Sequence, residues 1–149
     1  MNEDEKWMSL ALDQAIKAEE DGEVPIGAIL VKDGLVVARA HNQPISTNDA
    51  SAHAEIQLIR AAGKKLKNYR LTGTSLYVTL EPCAMCLGAI MHARIERVVF
   101  GAYDSKAGVC GSSDNLINAN YFNHKINLTS GLFENESRQL LKNFFISRR

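Results

Sequence analysis

At 149 residues with 46% hydrophobic side chains, the sequence is long enough for one packed core and needs no disulfide staples. It is formally neutral, so its overall charge does not announce a nucleic-acid binder, and no apolar run approaches the length of a membrane span. The acidic start, MNEDEKWMSL, lacks the basic region and apolar stretch of a secretory signal, which predicts a cytoplasmic protein.

From the N-terminus, Trp7, Ala11, Ala15 and Ala18 fall on one face of a helix predicted over 7–20, ended by Asp21-Gly22. The apolar run 26–31 and the segment 35–40 read as a hairpin around Lys32-Asp33-Gly34. Residues 42–50, rich in Asn, Pro, Ser and Thr, read as a loop. Ser51 is placed to cap a second helix over 52–62, which Gly63 closes. A strand follows over 75–79. Pro82 suits the first turn of a third helix over 83–92, and that helix is apolar nearly all round. A strand is expected over 97–101, irregular chain over 102–125, a short strand near 126–128 and a closing helix over 134–146. Strands joined by helices predict an α/β layered domain with a mixed sheet, occupying the whole of 1–149.

Charge is distributed unevenly. Residues 1–23 carry eight acids and two bases, so the remainder carries nine acids and fifteen bases. Arg60, Lys64, Lys65, Lys67 and Arg70 form one basic cluster, and Arg148 with Arg149 another. These clusters suit either contact with phosphates or simple solvation.

Chemistry concentrates in three places: Asn42, His53-Ala54-Glu55, and Glu81-Pro82-Cys83-Ala84-Met85-Cys86. Cys83 and Cys86 lie three apart at a helix N-terminus, where unpaired N–H groups and the helix dipole favour thiolates. Adding the His53 imidazole gives three protein ligands, the number that leaves a tetrahedral zinc one open position for water. A purely structural zinc would need a fourth ligand, from Cys110, His41, His92 or His124. Glu55 is the carboxylate placed to carry protons near that water.

His53-Ala-Glu55 followed by Pro82-Cys83-x-x-Cys86 resembles the motif pair of the cytidine/deoxycytidylate deaminase superfamily, within it the tRNA adenosine deaminases. The likeness spans nearly the whole chain. Segments 24–28, 42–44, 52–56, 68–71, 76–83, 97–102, Gly111-Ser112 and the ending Phe144-Phe145-x-x-Arg148-Arg149 all share in it. It implies a three-layer α/β/α fold with a central mixed sheet of about five strands. It also implies zinc on His53, Cys83 and Cys86, proton transfer by Glu55, and hydrolysis of adenosine to inosine at the wobble position of a tRNA anticodon.

By the same resemblance, Asn42 contacts the target nucleoside, and Asp104, Phe144, Arg148 and Arg149 approach the RNA of the anticodon stem-loop. Each has a plainer reading. Asn42 could satisfy its own loop, Asp104 could shape a turn, and one of the two phenylalanines could pack the last helix onto the sheet. The resemblance further implies a homodimer, with no membrane association. The rival function is deamination of a free base, guanine or cytosine, by the same zinc chemistry. A zinc-stabilised RNA-binding module without catalysis is the rival from another class.

Overall fold

A computed structural model describes residues 1–148, so Arg149, expected to contact RNA, lies outside the described residues. The first helix, α1 (Glu3–Glu20), begins four residues before its apolar periodicity does. Asn2 and Glu5 form a reciprocal capping box: the Asn2 side chain accepts from Glu5 N at 2.8 Å, and Glu5 Oε1 accepts from Asn2 N at 3.0 Å.

Strands β1 (Gly27–Lys32) and β2 (Leu35–His41) form the expected hairpin, followed by a short helix α2 (Pro44–Thr47) inside the segment read as loop. Then come α3 (Ala54–Leu66), β3 (Ser75–Leu80), α4 (Ala84–His92), β4 (Arg97–Ala102), β5 (Asn127–Thr129) and α5 (Glu134–Ser147). The five strands form one mixed sheet in the order β2-β1-β3-β4-β5. β1 runs antiparallel to both β2 and β3, whereas β3, β4 and β5 are parallel.

Period-two alternation along the strands divides the core into two layers. Ala28 and Leu30 of β1, Leu76 and Val78 of β3, and Val98 and Phe100 of β4 pack with α3 and α4. The intervening Ile29, Val31, Tyr77 and Val99 pack with Trp7, Met8 and Ala11 of α1. α5 lies on this second face, where a Cβ on Gly101 of β4 would come within 2.5 Å of Ser137 Oγ. Helix α1 sits so close that a Cβ at Gly27 would fall 2.1 Å from the Ala11 carbonyl oxygen, so any side chain there would lift the helix. The result is the three-layer α/β/α arrangement, and none of its described helices is long and apolar enough to cross a membrane.

The β1–β2 register shifts between Leu30 and Val31: Val36 pairs with Val31, but Ala38 pairs with Leu30, leaving Val37 as an extra residue.

Candidate active site

The site lies where β3 and β4 end and β1 begins, the crevice outside the carboxyl ends of parallel strands. Two helix starts meet there. His53 is the N-cap of α3, with extended backbone (φ −66°, ψ 156°), not a residue of its first turn. Cys83 is likewise the N-cap of α4. Neither cap makes a side-chain hydrogen bond to its own helix, so both side chains remain available to each other.

They converge. His53 Nδ1 lies 3.6 Å from Cys83 Sγ and 3.5 Å from Cys86 Sγ, and all three atoms fall within 4.8 Å of one another. Bonds of about 2.1 Å to nitrogen and 2.3 Å to sulfur at a tetrahedral angle place N and S about 3.6 Å apart. The donor set and its spacing therefore fit zinc. Among the described residues, no fourth His, Cys, Asp or Glu joins the group. Cys110 is buried nearby with its thiol pushed up to about 12 by burial. His124 Nε2 is taken by the Ile95 carbonyl at 2.7 Å, and His92 is exposed at the far end of α4.

The donors are electrically tuned. Hydrogen bonds from Cys86 and then His53 hold the Cys83 thiol down to about 4, overcoming its partial burial. Donation to Cys83, together with burial, pushes Cys86 up. His53 is raised by its hydrogen bond to Cys83. Cys83 is thus the thiolate-prone member. Glu55, one residue inside α3, is 4% exposed, lies against the Cys86 sulfur, and burial pushes its carboxyl up to about 7.

A cavity of about 190 Å³ opens over these groups, lined by Val24, Ile26, Asn42, His53, Glu55, Leu80, Glu81, Cys83, Asp104 and Ala107. That is below the roughly 300–1,000 Å³ of clefts for drug-sized ligands, and matches one flat ring. Asn42 is 6% exposed, and its Oδ1 accepts from the Ala54 amide at 2.8 Å. It does not satisfy its own loop: it caps α3 from outside and lines the cavity at once.

Asp104 shapes a turn and also lines the cavity. Its Oδ1 accepts from Lys106 N and Ala107 N, both at 3.1 Å, forming a turn, while the residue lines the cavity. An adjoining groove of about 450 Å³ shares Val24, Leu80, Asp104 and Ala107, and adds Tyr103, Lys106, Leu141 and Phe145.

The expectation for Phe144 needs correction. Phe144 is buried to 6% exposure, with the Arg148 guanidinium 4.0 Å above its ring, because it lies on the inward stripe of α5. Its neighbour Phe145 is the exposed aromatic at the groove. Arg148 is exposed, but it is engaged with Phe144.

Two buried carboxylates hold the surrounding loops, and the sequence reading gave neither a role. Glu81 accepts from the amides of Asp104 (3.0 Å), Cys110 (2.9 Å) and Ser112 (3.1 Å), and from the Ser112 hydroxyl. Glu23 accepts from the first amides of α2, Ile45 at 3.2 Å and Ser46 at 2.7 Å, which keep its carboxyl below the usual range. No spacing signal announces either residue; only the fold reveals that their loops converge.

The fold and the three-donor site are those of a zinc-binding deaminase. A family model of the cytidine and deoxycytidylate deaminase zinc-binding region matches residues 1–102, and the chain belongs to that family. Among its relatives is the tRNA-specific adenosine deaminase of Bacillus subtilis, 49% identical over 145 residues, covering 97% of this chain and 90% of that one. A solved structure from work on A-to-I editing by tRNA:A34 deaminases at the wobble position superposes with a TM-score of 0.89. It is 48% identical, with 91% of this chain and 99% of that chain covered. The guanine deaminase of Bacillus subtilis is also similar: TM-score 0.65, 41% identity, over 69% of this chain and 66% of that one.

Proposed function

We propose that residues 1–149 act as one hydrolytic deaminase domain that converts adenosine to inosine at the wobble position of a tRNA anticodon. The observation that carries this is the meeting of one imidazole and two sulfurs within 4.8 Å beside a buried carboxyl, at the floor of a base-sized cavity. The likeness to tRNA-specific adenosine deaminases over 97% of the chain supports the choice of substrate.

His53, Cys83 and Cys86 would hold zinc, which when bound lowers the pKa of a water to about 7. Glu55 does the proton work. Its carboxyl, pushed up to about 7 by burial, can take a proton and return it under neutral conditions. It passes one proton of the attacking water to the ring nitrogen next to the carbon bearing the amine, where it stays. The second, from the newly attached hydroxyl, goes to the amine, which leaves as ammonia and gives inosine its ring carbonyl. Asn42 keeps Oδ1 on Ala54, which leaves its NH₂ to donate to the nucleoside. Val24, Ile26 and Leu80 give the ring apolar contact and exclude water.

The groove beside the cavity favours a base that arrives attached to a strand. Exposed Phe145 offers a face for a neighbouring base and Lys106 a charge for its phosphate. Arg149 extends the basic end of the chain. We also infer pairing with a second copy. Ala84, Met85, Gly88 and Ala89 form an apolar face of α4 that the chain's own core does not bury, and a Cβ at Gly88 would meet nothing within 4 Å. A cytoplasmic location accords with that substrate.

The test is inosine formation on an anticodon stem-loop, measured beside ammonia release from guanine. Inosine with no ammonia from guanine is expected. Turnover of guanine alone would transfer the same site to free-base chemistry.

A further inference from the structure

A second concavity, larger than the catalytic one at about 600 Å³, lies at the outer edge of the sheet. Its floor is the open side of β2 around Arg39 and His41, and α1 and α3 form its walls. Four cations surround it: Lys17, Arg39, Arg60 and Lys64. Among the described residues no acid lines it, and the one carboxylate paired to these cations is Asp49, 3.5 Å from an exposed Arg60 and itself partly exposed. The clustering is unexpected on α1, since residues 1–23 hold eight acids and only two bases, and Lys17 is one of those two.

The interior carries a polar group with no protein partner among the described residues. Gln14 is 6% exposed and lines the cleft, yet its side chain makes no hydrogen bond among the described residues. Among the described residues the one fully enclosed side-chain polar atom without a partner is Ser137 Oγ, so the Gln14 amide opens to the cleft and is free to donate there. Gln57 and Gln43 add further amide groups at the opposite wall, joined to one another at 3.1 Å. The His41 ring also lines the cleft, with Nδ1–H held by the Asn42 carbonyl at 3.1 Å. Cations on the rim with amide donors inside make a site for an anion bearing several acceptor oxygens.

We propose that this edge cleft binds phosphate, with Arg39, Lys64 and Lys17 meeting the charge and the Gln14 amide donating to an oxygen. The phosphate comes either from the backbone of the RNA substrate or from a free phosphorylated small molecule. The RNA source rests on the deaminase reading above; the free source does not. The cleft touches the catalytic pocket through one stretch of chain, since His41 and Gln43 line the cleft while Asn42 between them lines the pocket.

The test compares the wild type with Arg39→Gln/Lys64→Gln and with Lys65→Gln/Lys125→Gln, which removes equal charge outside the cleft. Each protein is titrated with a labelled anticodon stem-loop from about 50 to 200 mM salt, and separately with pyrophosphate by calorimetry. If RNA phosphates occupy the cleft, the cleft pair binds the stem-loop roughly fivefold more weakly than the control pair. Its salt slope is then shallower by about 1, and turnover at saturating RNA is unchanged. If a free phosphate compound occupies it, the cleft pair alone loses pyrophosphate binding and keeps RNA affinity. Gln14→Met supplies the second variant: it should weaken the same titration with the melting temperature little changed, because it removes a donor that faces the cleft and no bond within the protein. Equal losses in the cleft and control pairs, or no loss in either titration, overturn the site. Because inosine formation is assayed separately, failure of the cleft and failure of the deaminase reading remain distinguishable.

Discussion

Asn42 Oδ1 accepts a 2.8 Å hydrogen bond from the amide of Ala54, the first residue of the helix that His53 caps. One side chain therefore links the proposed base-binding wall to the placement of an imidazole donor. Asn42→Ala should cost about 1–2 kcal/mol of stability, because it strands a buried N–H, and should lower kcat/KM as well. Asn42→Asp keeps an acceptor at the helix end but loses the NH₂ donor. It should hold its melting temperature while kcat/KM on a stem-loop still falls. Urea unfolding of both variants beside their kinetics separates the two roles, and equal behaviour would refute the division.

Glu55→Gln should retain metal, measured by elemental analysis of the purified protein, and lose roughly 10²–10⁴-fold in kcat. Cys110→Ser should leave metal content and turnover unchanged, since Cys110 stands outside the three-donor group. Cys86→Ser should lose both. Ejection of metal by the Cys110 change would point to a scaffold in place of a catalyst.

Glu81 supports the pocket from behind. Its carboxylate gathers three amides of the 104–112 loop, two of them beyond the turn that carries Asp104 and Ala107. Glu81→Ala should destabilise the fold by about 2 kcal/mol and raise KM for the stem-loop more than it lowers kcat, with zinc content preserved. A variant that loses its metal but keeps KM would show that Glu81 serves Cys83 and not the loop.

The N-terminal helix is clamped to β4 by Asp4, which receives Arg97 at 2.8 and 2.7 Å and the Tyr77 hydroxyl at 2.6 Å. These partners, Arg97 foremost, hold the Asp4 carboxyl below its usual range, despite the burial that opposes them. A depressed carboxyl pKa contributes stability that is complete above the unfolded value near 4 and disappears as pH falls through the folded one. Asp4→Asn should therefore lower stability by about 1 kcal/mol at pH 7 and by nothing at low pH, a modest figure because the pair is partly exposed. Denaturant midpoints at the two pH values check it.

Much of this molecule was legible in advance, and the failures have local causes. Strand positions came through because alternation and the Lys32-Asp33-Gly34 turn are strong signals, and the clustering of His53, Cys83 and Cys86 because their types and spacing are specific. Helix α3 begins two residues later than expected because Ser51 does not cap it: Asp49 Oδ1 takes both the Ser51 amide, at 2.9 Å, and its hydroxyl, at 2.7 Å. The same helix runs past Gly63 to Leu66, and Lys67 closes it in the left-handed region at φ 54°. Helix α2 escaped notice because its first amides are matched by Glu23, more than twenty residues away. Choosing between Phe144 and Phe145 required the rotation of α5, which two adjacent aromatics do not reveal.

The extra residue in β2 sets more than a local kink. Val36 shares the α1 side with Val31, whereas Ala38 and Ala40 share the α3 side with Leu30 and Ala28, so Val37 inverts the parity of everything downstream. Were Val37 instead to pair with Leu30 in a regular ladder, every later residue would slip by one and exchange faces: His41 would swing toward the catalytic floor and Asn42 would turn out to the basic edge. What distinguishes the reactive compartment from its neighbour is thus fixed partly by odd-versus-even arithmetic in a hairpin, several residues before either compartment begins.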